Sequence, residues 1–230
     1  MTIETSVATE TGACRRVNED RGFADASKGI IAVFDGAFND GAAAAVALER
    51  TQALTVEALA RGEQTLRSLA HEIDSEIRKA ADPALGPSAT TLLVATVHGR
   101  LTRVAHVGDG RAYLLRDGSL RQLSTDHTLV AELMATGSLS QAEATDAPNS
   151  GVITRALGFG ANAEPDVFEV ETQPGDIVIL CTDGVWRWVD EAQMKAALLA
   201  GPFAGCAARV TELSASPGRD NSTVAALRSL

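Results

Sequence analysis

The Asp-Gly steps at Asp35, Asp109, Asp117 and Asp183, four of the five in this chain, are places where residue type and position could do chemistry. Such a pair by itself signals a turn, because glycine tolerates positive φ and aspartate bonds its own backbone. Asp117-Gly118 fits that description, separating Tyr113-Leu114-Leu115 from Leu120-Arg121-Gln122-Leu123 as a simple hairpin. Asp35 and Asp183 differ. Each ends a very apolar run, Ile30 to Phe34 and Ile177 to Cys181, where a core strand emerges at the edge of a sheet and holds the next side chain rigidly. Carboxylates gathered at such a place are partly desolvated, repel one another and take up protons unless a cation compensates. Convergence of these acids therefore implies a metal. Hard divalent ions such as Mg²⁺ and Mn²⁺ accept carboxylate, carbonyl and water ligands without help from histidine or cysteine. The four histidines, His71, His98, His106 and His127, show no HExxH or comparable spacing. Cys14, Cys181 and Cys206 are odd in number and far apart, which argues against a disulfide framework or a zinc knuckle and for three reduced thiols, two of them in the core.

The elements that must position these acids are legible in outline. Ile30 to Phe34 reads as a buried strand. From Gly41 to about Ala80 the composition turns to Ala, Leu, Glu and Arg, with Leu66, Leu69, Ile73 and Ile77 at helical spacing, which predicts two helices broken near Arg61-Gly62. Thr90 to Val97, Leu101 to Val107 and Ala112 to Arg116 read as an antiparallel meander joined by His98-Gly99 and Gly108-Asp109-Gly110. One or two short helices around Gly137 fill Asp126 to Ala144. Strands follow at Asp166 to Val170 and Asp176 to Cys181, helices at Glu191 to Leu199 and Ala204 to Leu213, and a last strand at Ser222 to Leu227. Helices covering antiparallel sheets, an α+β layering, are expected rather than alternating βαβ units.

Composition bounds the partners. Thirty acidic residues against 20 Lys plus Arg give a net charge of −10, so nucleic acid would be repelled over most of the surface. No apolar run approaches the roughly 18 residues that span a bilayer, and the opening MTIETSVATETG carries neither a secretory signal nor an anchor. With no linker, charge block or period in sight, one domain over residues 1–230, without nucleic acid or membrane and cytoplasmic, is the expectation.

A set of short segments, taken in order, resembles the metal-dependent Ser/Thr protein phosphatases of type 2C in their short bacterial form. They are Arg15-Arg16-Val17-Asn18-Glu19-Asp20; Ala32-Val33-Phe34-Asp35-Gly36; Ser88-Ala89-Thr90-Thr91-Leu92-Leu93-Val94-Ala95; Val107-Gly108-Asp109-Gly110-Arg111-Ala112-Tyr113; Ile153-Thr154-Arg155-Ala156-Leu157-Gly158; Gly175-Asp176 to Trp186; and Arg219-Asp220-Asn221-Ser222-Thr223-Val224. The resemblance implies a four-layer α-β-β-α sandwich of two antiparallel sheets with a two-metal cleft at one end. It implies that Asp35 bridges two Mn²⁺ or Mg²⁺ ions, that the Gly36 carbonyl binds one, and that Asp183 and Asp220 bind the other. Asp20 and Glu19 become outer ligands, Asp109 helps hold a third and weaker ion, and Arg15 grips the substrate phosphate with its planar fork of donors. Arg16, by strand alternation, is expected to point to the opposite face. The implied reaction is hydrolysis of phosphoserine and phosphothreonine by water shared between ions about 3.5 to 4 Å apart, with no phosphoenzyme. The implied setting is a monomer acting on the phosphoproteins of a bacterial Ser/Thr kinase.

The sequence departs from that family in two places. Ala37-Phe38-Asn39-Asp40 stands where bacterial members carry a glycine-rich step ending in a histidine with a role as proton donor, and Gly110 replaces the usual Ser. A donor of that kind is typically worth 10² to 10⁴ in rate. His127 could approach the cleft, though a histidine at a helix start is the plainer reading. The stretch from Thr136 to Asn149 sits where the family has a flap. Gly158 to Ala163 mimics a dinucleotide fingerprint but lacks the strand-turn-helix setting. Trp186 reads as core packing. Two rival functions stay open: a catalytically weak module that binds phosphoproteins or a regulatory partner, motivated by the missing Gly-Gly-His, and a stress or sporulation regulator acting on one small partner.

Overall fold

The computed structural model describes residues 2–38, 41–80, 86–145, 151–160, 164–215 and 220–230. Asn39, Asp40, Arg219 and the end of the Thr136 to Asn149 stretch lie outside them, as does much of the Gly158 to Ala163 fingerprint. The elements run β1 (Ile3–Glu10), β2 (Arg21–Asp25), β3 (Ile30–Phe34), β4 (Gly36–Ala37), α1 (Ala42–Gln52), α2 (Val56–Leu59), α3 (Glu63–Ala80), β5 (Ala89–Thr90), β6 (Leu92–His98), β7 (Leu101–Val107), β8 (Arg111–Arg116) and β9 (Ser119–Gln122). They continue with α4 (Leu129–Ala135), α5 (Gln141–Thr145), β10 (Asp166–Glu171), β11 (Ile177–Cys181), α6 (Asp183–Trp186), α7 (Glu191–Leu199), α8 (Cys206–Ala215) and β12 (Ser222–Ser229).

Two five-stranded antiparallel sheets face each other, ordered β1-β12-β11-β8-β9 and β10-β7-β6-β3-β2. The apolar runs of β3 and β11 are unbroken because these central strands are buried on both faces. Ile31 and Val33 of β3 meet Leu114, Val178, Leu180, Ala225 and Leu227 between the sheets. Their neighbours Ile30, Ala32 and Phe34 point the other way, against Leu66, Leu69, Ile73 and Ile77 of α3. On the far side Tyr113, Ile177, Ile179 and Cys181 pack under Met194 and Leu198 of α7 and Val210 of α8. The result is helix on sheet on sheet on helix, the expected sandwich.

Three local expectations are corrected. The helical region Gly41 to Ala80 holds three helices, since a second break at residues 53–55 precedes α2. The meander does not continue into β8: β7 pairs with β6 and β10, whereas β8 pairs with β11 and β9, so Gly108-Asp109-Gly110 crosses from one sheet to the other. A crossing at Asp109, rather than a hairpin turn, carries that acid to the end of the sandwich. Residues 11–20 form no strand, so the alternation argued for Arg16 does not apply. Asp183-Gly184, at the end of the apolar run as expected, opens the one-turn helix α6. Asp117-Gly118 is the hairpin expected, with φ of 51° and 74° and the pair Arg116↔Ser119 closing β8 onto β9. Cys14 is exposed, Cys181 and Cys206 are buried, and all three are free.

Candidate metal centre

Asp35 leaves β3 at one end of the sandwich, and its backbone is clamped from the neighbouring motif. Its N–H donates to Thr91 Oγ1 at 2.9 Å, and its carbonyl accepts from the Thr91 N–H at 2.9 Å and from Thr90 Oγ1 at 3.1 Å. This gives the Ser88 to Ala95 motif a physical task, to hold the Asp35 backbone. Gly36 is packed against the Glu19 carbonyl, which would lie 2.5 Å from any Cβ there. Asp183 starts α6 directly after β11. Gly184 lets that turn sit on the Asp220-Asn221 segment, since a Cβ at residue 184 would come within 1.8 Å of the Asn221 carbonyl oxygen. Asp109 enters on the inter-sheet crossing, held by the Trp186 indole N–H, which donates to the Asp109 carbonyl at 2.9 Å.

These placements bring one carboxylate oxygen each of Asp35, Asp109 and Asp183 within 4.8 Å of one another. Asp20, almost fully buried before β2, lies behind them and accepts from the hydroxyls of Thr182 and Thr223, both at 2.8 Å. Asp220 lies at the rim. Its Oδ1 accepts from the Asn221 N–H at 2.8 Å and from Arg15 Nη2 at 2.7 Å, so Asp220 pairs with Arg15 outside the close trio. Glu19 stands 3.8 Å from Arg15. The loop carrying Arg15 is stapled by Asn221, whose side chain donates to the Thr11 and Val17 carbonyls and accepts from the Glu19 N–H.

The electrostatics of the cluster favour a cation. Burial, then the neighbouring charges of Asp20, Asp183 and Asp109, holds the Asp35 carboxyl well above the ordinary carboxylate range. Burial first, opposed by the two threonine hydroxyls, pushes Asp20 up to about 7, and burial together with Asp183 does the same for Asp109. Asp109 Oδ1 is buried with no hydrogen-bond partner. Closely spaced oxygen donors, one of them orphaned, fit a hard divalent ion. Acids that resist ionisation for want of positive charge become good ligands once it is supplied.

Sequence reasoning missed several residues. Arg187 donates from Nε to Asp183 Oδ2 at 2.8 Å and places Nη2 3.4 Å from Asp109 Oδ2. Its i,i+4 spacing from Asp183 was a visible signal once α6 was known to be a helix. Trp186 packs against the core under α7 and α8 as expected, but also carries the guanidinium of Arg111 at 3.6 Å from its ring centroid. His127 is a buried residue just before the N-cap of α4, and it clamps the crossing. Its Nδ1 accepts from the Gly108 N–H at 3.1 Å and its own N–H donates to the Gly108 carbonyl at 2.8 Å. Nε2 therefore carries the proton and faces Asp166 Oδ2 at 3.1 Å. Phe38, in the departure after Gly36, has φ 69° and is exposed beside Phe159. The Thr136 to Asn149 stretch includes α5, and a groove beside it is lined by Met134, Ala144, Arg111, Trp186 and Trp188.

Comparison with known proteins agrees with this geometry. The protein phosphatase 2C family profile matches residues 15–226. The serine/threonine phosphatase stp of Listeria monocytogenes is 35% identical over 234 residues, covering 94% of this chain and 92% of the relative. The serine/threonine protein phosphatase PstP of Mycobacterium tuberculosis is 31% identical over 97% of this chain, which spans 44% of that longer protein. A crystal structure of the PstP phosphatase superposes with a TM-score of 0.86 at 30% identity, covering 100% of this chain and 99% of that one. Another, of the PstP catalytic domain with two manganese ions, superposes at 0.82 and 29%. With its sandwich, its acidic trio and these relatives in agreement, the chain belongs to the protein phosphatase 2C family, the metal-dependent Ser/Thr phosphatases.

Proposed function

We propose that the chain removes phosphate from phosphoserine and phosphothreonine of phosphoproteins, those of a bacterial Ser/Thr kinase, as a single-domain cytoplasmic monomer using two Mn²⁺ or Mg²⁺ ions. The observation that carries the reading is the meeting of Asp35, Asp109 and Asp183, from three segments far apart in sequence, with Asp20 behind them and Asp220 at the rim. Asp35 would be the ligand shared by both ions, the Gly36 carbonyl would serve one, and Asp183 and Asp220 would serve the other. Asp20 and Glu19 orient the outer shell, and Asp109 faces a third cation position. When bound, the ions lower the pKa of a shared water and neutralise the phosphoryl oxygens.

The protein's own part is placement. Thr90 and Thr91 fix Asp35, and the Thr182 and Thr223 hydroxyls fix Asp20. Arg15, 44% exposed at its side chain, is parked on Asp220 and Glu19. With Asp220 serving a cation, the Arg15 guanidinium would be free to take two oxygens of the substrate phosphate. Those contacts strengthen as charge spreads over the equatorial oxygens in the transition state. His127 has both ring nitrogens committed, to Gly108 and Asp166, and so is a brace for the Asp109 crossing rather than a proton donor to the leaving oxygen.

The test is hydrolysis of p-nitrophenyl phosphate and of a phosphothreonine peptide with Mn²⁺, with EDTA, and in Asp35→Asn and Asp183→Asn. Turnover that needs metal and vanishes in both variants is expected. Equal rates in EDTA or in the variants would reject the mechanism. Metal binding without turnover under any ion would favour the phosphoprotein-binding reading that the Ala37 to Asp40 departure raises.

A further inference from the structure

Among the described residues, Arg187 is the cation lodged against two members of the acidic trio. We infer that its guanidinium occupies the third cation position of the cleft, so that this chain binds two divalent ions and supplies the third positive charge itself; the inference rests on the metal-site reading above. The geometry is specific to one side of the trio. Nε donates to Asp183 Oδ2 at 2.8 Å and Nη2 stands 3.4 Å from Asp109 Oδ2, whereas Arg187 makes no hydrogen bond to Asp35. Arg187 thus bridges Asp109 and Asp183 without engaging Asp35, which stays available to the ions it would share.

The bridge is built rather than incidental. Arg187 follows the last residue of α6, whose first residue is Asp183, so one helical turn fixes the spacing between the acid and its partner. The Trp186 ring lies 4.8 Å below the guanidinium while its N–H holds the Asp109 carbonyl, so one side chain positions both ends of the contact. A guanidinium stacks on an indole face more readily than a hydrated metal ion would. The Asp109 side chain that Arg187 reaches is 2% exposed. Gly110, which replaces the family's usual Ser beside this acid, adds no polar side chain that would serve an ion there. A fixed guanidinium differs from an ion in carrying one charge, never dissociating and bringing no exchangeable water. Mn²⁺ concentration should therefore not control this position.

The experiment counts bound manganese rather than turnover. Mn²⁺ stoichiometry is measured by titration with electron paramagnetic resonance detection of free ion, and sites are located by anomalous scattering in Mn²⁺-soaked crystals. Wild type, Arg187→Ala, Arg187→Gln and the double variant Arg187→Ala/Asp109→Asn are compared, each checked for a native melting transition. Two equivalents are expected in wild type and three in either single variant, the extra ion lying between Asp109 and Asp183 and disappearing in the double variant. Three equivalents in wild type with Arg187 swung away, or two in both single variants, would overturn the inference while leaving the two-metal site intact. No manganese in any form would instead remove the metal-site reading, and this inference with it.

Discussion

Substitution of His106 offers a quantitative test of how the Asp109 crossing is built. His106 lies on β7, fully buried, with its ring stacked 4.6 Å from that of His127. Neither of its ring nitrogens has a hydrogen-bond partner of ordinary geometry, the Gly110 backbone making only a marginal approach. Burial first, and then the adjacent His127, lower its pKa from 6.5 to about 3, against the opposing pull of Asp166; Arg155 adds to the lowering. The native state therefore keeps the ring neutral while the unfolded chain protonates it below 6.5. Because the unfolded state then binds more protons, stability falls as pH drops, by about 1.4 kcal/mol per unit, until the native ring titrates near 3. At pH 4.5, two units below the unfolded value, the loss is about 3 kcal/mol, or roughly 5 to 12 °C in Tm for a chain of this size. His106→Leu removes the titration and two unpartnered polar atoms at similar volume. It is expected to match or slightly exceed wild type at pH 7 and to exceed it by about 3 kcal/mol at pH 4.5. The assay is urea unfolding of both proteins in EDTA from pH 7.5 to 4.5, where carboxylate titrations common to both cancel in the difference. A difference independent of pH would refute the argument.

Three further outcomes follow from the site. In EDTA, Asp35→Asn should melt no lower than wild type, because it relieves a buried carboxyl crowded by Asp20, Asp183 and Asp109; Mn²⁺ at 100-fold its Kd should then stabilise wild type by about 2.7 kcal/mol and the variant far less, and equal manganese shifts would contradict this. Arg15→Ala should raise KM for p-nitrophenyl phosphate roughly 10- to 100-fold, the worth of a hydrogen-bonded charged contact, with a smaller effect on kcat; an unchanged KM would remove Arg15 from phosphate binding. Asp117→Ala should leave activity intact while costing about 1 kcal/mol in thermal unfolding, since φ of 51° suits Asp better than Ala, and lost activity would mean that the Asp-Gly steps were sorted wrongly.

What the sequence by itself determined is what depends on near neighbours. The alternating faces of β3, the α3 stripe of Leu66, Leu69, Ile73 and Ile77, and the Asp117-Gly118 turn are set by periods of two and 3.6 residues and by glycine's backbone freedom. The acids at strand ends were legible for the same reason, and the order of motifs supplied the family. Local pattern could not say that β8 leaves the meander for the other sheet, because a short Gly-rich connection serves a hairpin or a crossing equally well. Nor could it show that Asp220 pairs with Arg15, that Asn221 staples residues 11–19, that His127 braces Gly108, or that Arg187 reaches across to Asp109. Each of those contacts joins segments far apart in sequence that strand pairing and sheet packing bring together, as Glu10↔Ser222 seats Asp220 and Asn221 beside the loop after β1. Burial then decided their chemistry: the same carboxylates, apart in water, would ionise independently, and only in the desolvated end of the sandwich do they compete for a shared positive charge.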